Sequence, residues 1–228
     1  MGSFNSPPRA KSEQVINLRR LPLLLVWRVP HSHHRLGRMV PFYLSEFLDI
    51  EFSLRCDALL ALELQPTLEG DLLRLRPLRP EDWDDLYAVA SDPLIWEQHP
   101  ANDRYKEAVF REFFREAMES GGALVVIDVK DGRVIGSSRF HGYDEERSEI
   151  EIGWTFLARS HWGGVYNKEM KDLMLRHAFR FVQSVIFLIG PENFRSQKAV
   201  EKIGAVRVGS KTDDTGRESV VFQLTAPA

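Results

Sequence analysis

The sequence predicts a mixed α/β (α+β) fold, a mainly antiparallel sheet with flanking helices and one parallel strand pair near its end. Three observations carry this. Short β-rich runs begin at Leu72 and recur to Leu224. Two helix-period runs lie between the first such run and the second. Near the end, a strand–helix–strand succession requires a crossover and therefore a parallel pair, whereas the earlier hairpin is antiparallel.

Taken in order, Leu72-Leu73-Arg74-Leu75-Arg76 alternates as a half-buried strand does. Pro80-Glu81-Asp82-Trp83 is a helix start, with proline in the first turn and acids at the positive end of the dipole, and Leu86 and Ala90 continue the face of Trp83. A second helix is expected from Arg104 to Glu119, because Val109, Phe110, Phe113, Phe114 and Ala117 recur at three and four residues. Ala123 to Val129 and Val134 to Gly136, joined through Asp131-Gly132, form a hairpin. In the strand Ser148 to Phe156 the alternation places Glu149, Glu151 and Gly153 on one face and Ile150, Ile152 and Trp154 on the other. A glycine-containing loop leads to a helix from Tyr166 to Val182, then a buried strand from Gln183 to Ile189 and a short helix from Ser196 to Lys202. Strands at Ala205–Val208 and Ser219–Leu224 close the order βααβββαβαββ.

Residues 67–228 form this domain, and residues 1–66 form a poorly structured N-terminal extension, broken by Pro7, Pro8, Pro22, Pro30 and Pro41. Seven Lys/Arg against the single acid Glu13 give residues 1–38 a charge of +6, which leaves −9 of the net −3 for residues 39–228. A near-neutral chain without a basic stripe is not a general nucleic-acid binder. Translation beginning at Met39 would remove the basic segment altogether. The apolar run Leu21 to Trp27 is far shorter than the roughly 20 residues that cross a bilayer, and no small-residue cleavage site follows it. Met1-Gly2-Ser3-Phe4-Asn5-Ser6 fits the loose myristoylation pattern, which is short enough to arise by chance. His31, His33 and His34 have no carboxylate or cysteine at ligand spacing, so they are a polar tract and no metal is expected. The single cysteine, Cys56, excludes an internal disulfide and suits a reducing, cytoplasmic setting. Monomer and homodimer are both compatible with the sequence.

Two segments depart from plain structural patterning. Arg159-Ser160-His161-Trp162-Gly163-Gly164-Val165-Tyr166-Asn167 joins a strand to a helix, where glycines and unpaired helix amides favour an anion, although such a turn also serves as a plain tight connection. About 29 residues after Gly164, Asn193 opens the pattern N-x-x-S-x-x-A-x-x-K-x-G-A, filled by Ser196, Ala199, Lys202, Gly204 and Ala205. Together these segments resemble the GNAT superfamily of N-acetyltransferases, in particular its RimJ/RimL-type branch. The resemblance covers Leu68 to Leu224 in element order, with both motifs in the half after Glu149.

The resemblance implies a GNAT-like sheet with a splayed parallel strand pair near the acyl-CoA site, and transfer of an acetyl group from acetyl-CoA to a primary amine, either a protein N-terminus or a small molecule. It implies coenzyme contacts from Trp154, Phe156, Trp162, Gly163, Gly164, Val165, Tyr166, Asn167, Asn193 and Ser196, with Arg159 or Lys168 as charge partners. Asn193 would bond the pantetheine arm, and its residue type also caps helices. Glu151 first and Glu149 second stand where a carboxylate would accept the amine's proton, and solvated surface glutamates are the bland alternative. Ser196 would lie near the thioester. Val165 stands where the family carries glycine or alanine, and Val200 where many relatives carry the tyrosine that protonates the leaving thiolate; Ser196, Tyr166 and His161 are the substitutes. Amine recognition falls to the segment Trp83 to Glu119 and the loop Tyr143 to Arg147, with Trp96, His99, Tyr105 and Phe140 as lining candidates and Asp144, Glu145 and Glu146 as attractors of a cation. A catalytically silent acyl-CoA-binding regulatory module and a nucleotide-phosphate binder are the alternative readings.

Overall fold

The computed structural model describes residues 62–227. The 21–27 apolar run, the myristoylation pattern, Met39, His31, His33, His34 and Cys56 lie outside the described residues.

Eight strands form one sheet. They are β1 (Leu68–Glu69), β2 (Leu73–Pro77), β3 (Ala123–Asp128), β4 (Val134–Asp144), β5 (Glu149–Leu157), β6 (Ser184–Ile189), β7 (Val206–Thr212) and β8 (Glu218–Thr225), in spatial order β1-β2-β3-β4-β5-β6-β8-β7. Only β5 and β6 pair in parallel. The helices are α1 (Trp83–Ala90), α2 (Pro93–Trp96), α3 (Glu107–Glu119), α4 (Val165–Ala178) and α5 (Phe194–Glu201). Apart from the short β1 and α2, this is the order expected from the sequence.

Each face of the sheet has its own apolar core. Leu73, Leu75, Val126, Phe140, Ile150 and Ile152 pack with Met170, Met174 and Ala178 of α4. On the opposite face Val125, Ile127 and Phe156 pack with Leu86, Phe110, Phe113 and Phe114 of α1 and α3. Every residue of β3 is buried, which explains its continuous apolar run: helices cover both of its faces. Burial of a single side chain such as Phe110, which is wholly inaccessible, stabilises by about 1.5–3 kcal/mol.

Local chemistry sets the boundaries. Asp82 accepts from Arg79 N and pairs with Arg76 at 2.6 Å, which pins the turn before α1 to the end of β2. Lys106 is extended, so α3 starts at Glu107 and not at Arg104. Likewise α4 stops at Ala178, four residues short of the expected Val182. β7 is longer than its sequence suggested because its outward residues are exposed on an edge strand and give little apolar signal. Contacts of the domain reach back to Leu62 and Leu64, which pack on the α4 core, and Gln65 Nε2 donates to Ala123 O.

One of the sheet's register shifts bears on the site. Arg139 of β4 faces Gly153 of β5 and Ser137 faces Phe156, so β5 carries one extra residue. Trp154 takes a left-handed backbone with φ of 51°. This bulge turns Trp154 away from Ile150 and Ile152 and onto the face of α1–α3, which corrects the expected pattern.

Candidate active site

β5 and β6 pair only from Glu149 to Glu151 against Ser184 to Ile186. Beyond that register the bulge carries β5 away, and the strands bound part of a cavity of about 1590 Å³. Its walls come from β5, the starts of α4 and α5, β6, the loop after α2, and the β7–β8 hairpin.

One end of the cavity is a helix start. Gly163 has a φ of +72°, a conformation glycine adopts freely, and Gly164 leads directly into α4. A Cβ on either glycine would meet nothing within 4 Å, so this loop faces open space. The first turn of α4 has no acid and no side-chain cap, and its leading N–H groups lack intrahelical acceptors. Amide donors and dipole together make this an anion site. Val165 is 60% exposed, so its side chain leaves the amides open. Asn167 and Lys168 line the cavity beside it.

The second helix start is α5. Asn193, only 7% exposed, caps it by accepting from Ser196 N at 3.2 Å. Its Nδ2 has no partner among the described residues and stands at the cavity wall with the hydroxyl of Ser196. A CoA-like molecule would find its donors here: helix amides for a pyrophosphate and a spare amide N–H for a pantetheine carbonyl.

The two glutamates differ. Glu149 Oε2 accepts from Gln223 Nε2 at 2.9 Å and Ser184 Oγ at 3.0 Å, so its carboxylate is already engaged. Glu151 has no such bonds and lines the cavity. Burial pushes its carboxyl up to about 7 against the opposing pull of Lys211 and Arg139.

Several expected contacts are committed elsewhere. Arg159 pairs with Asp92, and Lys168 with Asp172 at 2.5 Å, so neither is a free charge partner. The Tyr166 hydroxyl bonds Asp128 at 3.3 Å, and His161 Nε2 meets the same carboxylate at 3.1 Å. Trp162 donates to Leu157 O and stacks under Arg195, whose guanidinium lies 4.0 Å from the ring centroid. Trp154, Phe156 and Ser196 line the cavity. Val200 is buried in the α4 core, so no phenol stands there. Phe140 belongs to the same core and does not border the cavity, because the alternation of β4 turns it inward. Asp144 pairs with Arg147.

Sequence reasoning missed Lys171. It is 4% exposed, lines the cavity, and donates from Nζ to Thr155 Oγ1 at 2.7 Å, which in turn bonds Ser138 Oγ at 2.8 Å. Burial brings its pKa down to about 7. The available signal was the row Lys171, Leu175, Ala178 at helical spacing, one position from the expected apolar face. It also missed Arg139, 4% exposed, whose Nε and Nη2 have no hydrogen-bond partner among the described residues and whose guanidinium lies 4.5 Å from the Trp154 ring centroid.

The fold, the splayed strands and the amide-lined helix start define an acyl-CoA-dependent transferase. Residues 73–206 match the family described as the acetyltransferase (GNAT) domain, and the chain belongs to that family. It is an acetyl-CoA-dependent N-acetyltransferase. No curated protein matches it in sequence. Among solved structures, a GCN5-related N-acetyltransferase from Brucella melitensis is 22% identical over 71% of this chain and 79% of its own, with a TM-score of 0.63. A GNAT-family acetyltransferase from Bacillus anthracis is 22% identical over 70% of this chain and 98% of its own, with a TM-score of 0.59. RimJ of Mycobacterium smegmatis, in complex with CoA-disulfide, is 19% identical over 71% of this chain and 87% of its own, with a TM-score of 0.53. These likenesses show the fold. Among the described residues no helix is long and apolar enough to cross a membrane, and no group of three or more His, Cys, Asp or Glu is placed to hold a metal ion.

Proposed function

We propose that this chain is a RimJ/RimL-type enzyme that acetylates a primary amine, with Glu151 as the group that accepts the amine's proton. The observation that carries the reading is Glu151 itself: a buried carboxyl that titrates near pH 7, on the strand that parts from its neighbour, in the cavity that also holds both helix starts. A base poised near the working pH is efficient because it is deprotonated at neutral pH yet basic enough to take a proton.

Acetyl-CoA supplies the thioester carbonyl. The α4 amides from Gly163 to Asn167 hold the pyrophosphate, and the spare amide of Asn193 holds the pantetheine arm. In the transfer the amine nitrogen bonds the carbonyl carbon, the carbon–sulfur bond breaks, the amine proton passes to Glu151, and the thiolate takes a proton. Ser196, whose hydroxyl faces the cavity, donates or relays that proton in place of the tyrosine that Val200 replaces. Lys171, reached through Thr155, is a second proton source at the same pH. The branch assignment rests on the Asn193–Ala205 motif, with the RimJ structure as a fold relative. The N-terminal extension is read as outside this catalytic unit except for its last residues, since Leu62, Leu64 and Gln65 contact the domain, and the single cysteine supports a cytoplasmic setting.

Thiol release from acetyl-CoA, followed over amino acids, peptides, polyamines and aminoglycosides, tests the reading. Turnover on at least one amine is expected. Tight coenzyme binding without release on any amine would instead make the chain a silent acyl-CoA-binding module.

A further inference from the structure

Among the residues that line the cavity, a histidine and an arginine set two donors side by side, and a second arginine lies near enough to act on both. The three are His99, Arg104 and Arg217. The backbone N–H of Ala101 donates to His99 Nδ1 at 2.9 Å, so Nδ1 carries no proton. Burial, with the charges of Arg104 and Arg217, brings the His99 pKa down to about 3, and a neutral ring must then carry its hydrogen on Nε2. Nε2 lies 3.1 Å from Arg104 Nη1. A guanidinium has no acceptor, so these two donors face each other with no hydrogen bond between them. A negatively charged acceptor placed beside the pair would accept from both.

The surroundings favour the same ligand. Arg104 is held by aromatic faces and not by a carboxylate: its guanidinium carbon lies 4.7 Å from the Phe113 centroid and 5.5 Å from that of Trp96. Burial and Arg217 bring its pKa down to about 10. Glu116 and Asp103 act on it from a distance, but neither forms an ion pair with it among the described residues. Arg217 comes from the β7–β8 hairpin, and its backbone N–H, not its guanidinium, bonds Asp213. Arg139, also without an ion pair among the described residues, is close enough to act on both Arg104 and Glu151, and His99, Arg104, Arg217 and Glu151 all line the same cavity. Polyamines and aminoglycosides would meet this excess of positive charge unfavourably.

We propose that the acceptor is a primary amine carrying a carboxylate, as an amino acid does, and that His99 Nε2–H, Arg104 and Arg217 hold this carboxylate while Glu151 faces its amine. The proposal rests on the acetyl-transfer reading above and names its substrate class. Atoms balance as in that transfer, the carboxylate remaining a spectator bound by charge-assisted hydrogen bonds. The coenzyme's phosphates are served by the separate cradle at α4.

The test compares amino acids with their carboxamides, a peptide with a free N-terminus and spermidine, in turnover and in binding. Binding is read by titration calorimetry of N-acetylated amino acids and their amides onto the enzyme with CoA, so it does not need turnover. Acids are expected to exceed amides by about 10- to 100-fold in both readouts, the range a hydrogen bond to a charged group supports. In Arg104→Gln the acid-to-amide ratio should fall toward one while acetyl-CoA affinity is kept. Arg104 packs on two aromatic rings, so Arg217→Gln, on an exposed hairpin, provides a second variant with the same expected direction. Amides binding as well as acids, or both variants keeping the ratio, would overturn the proposal, as would loss of acetyl-CoA affinity in step with loss of acid binding. If a peptide with a distant carboxylate or spermidine is the better acceptor, the carboxylate site is wrong although acetyl transfer stands. If acids bind preferentially through Arg104 and no amine is acetylated, the site stands and the transfer reading falls.

Discussion

The two ends of the cavity are built differently. At the end proposed for the coenzyme, the donors are mostly backbone: the turn at Gly163 and the open amides of α4, with the Asn193 side chain capping α5 beside them. At the end proposed for the acceptor, the groups are side chains brought from the loop after α2, from β4, from β5 and from a hairpin near the C-terminus. Backbone donors point at a phosphate whatever the neighbouring side chains are, so that end tolerates Val165. Charged groups have no such independence, because their proton state depends on how far the surrounding chain buries them and on their neighbours. Burial is the main cause that pushes Glu151 up to about 7 and brings His99 down to about 3 and Arg104 down to about 10.

Gly163→Glu should break the coenzyme end most severely. It places a negative charge at the anion site and a side chain on a left-handed backbone, and like charges brought together cost several kcal/mol, so acetyl-CoA affinity should fall by at least about 10²-fold. Gly163→Ala, which adds the backbone strain alone, should lose roughly 1 kcal/mol, about fivefold to tenfold. Equal losses in the two variants, measured by calorimetry, would assign the glycine to the turn and not to the ligand.

Lys171 sharpens the comparison through stability. Its folded pKa of about 7 lies below the usual lysine value near 10.4, so between these two pH values the unfolded chain holds more protons than the folded one. Stability attributable to this residue must therefore rise as the pH rises from 7 toward 10. Relative to Lys171→Met, the wild type should be less stable at pH 7, and the gap should close by roughly 3–5 kcal/mol at the alkaline end. Chemical denaturation at pH 7 and pH 9.5 reads this; a constant gap would mean that Lys171 stays charged and is partnered.

How far the sequence reached follows the same division. The order of strands and helices was legible because helical and extended periods alternate clearly, and the glycine turn before α4 and the start of α5 were legible because their features are local in the chain. Asn193 could be assigned both a cap and a ligand role from its residue type, and the cap is seen at 3.2 Å. Trp154 was misplaced because the run Ile150, Ile152, Trp154 alternates without interruption, while the bulge arises from the pairing of β5 with β4. Arg104 and Arg217 are far apart in sequence, and nothing local to either says that they share a space with His99. Lys171 hid beside an apolar helix face, because a lysine is read as solvated unless its burial is known. The side chains of Arg159 and Tyr166 bond Asp92 and Asp128, partners supplied by distant segments that nothing local in the sequence announces.

The central claim is that Glu151 accepts the amine's proton. It is tested most directly by the pH dependence of kcat/KM for the best acceptor, in the wild type, Glu151→Gln and Glu149→Gln. Because the carboxyl's folded pKa is raised to about 7, the wild-type rate should fall tenfold per unit as the pH drops below 7, with the base increasingly protonated. Glu151→Gln should lose that limb and about 10²- to 10⁴-fold of the rate at neutral pH, and Glu149→Gln should keep the limb. A limb that survives in Glu151→Gln, or one that disappears in Glu149→Gln instead, would contradict the assignment.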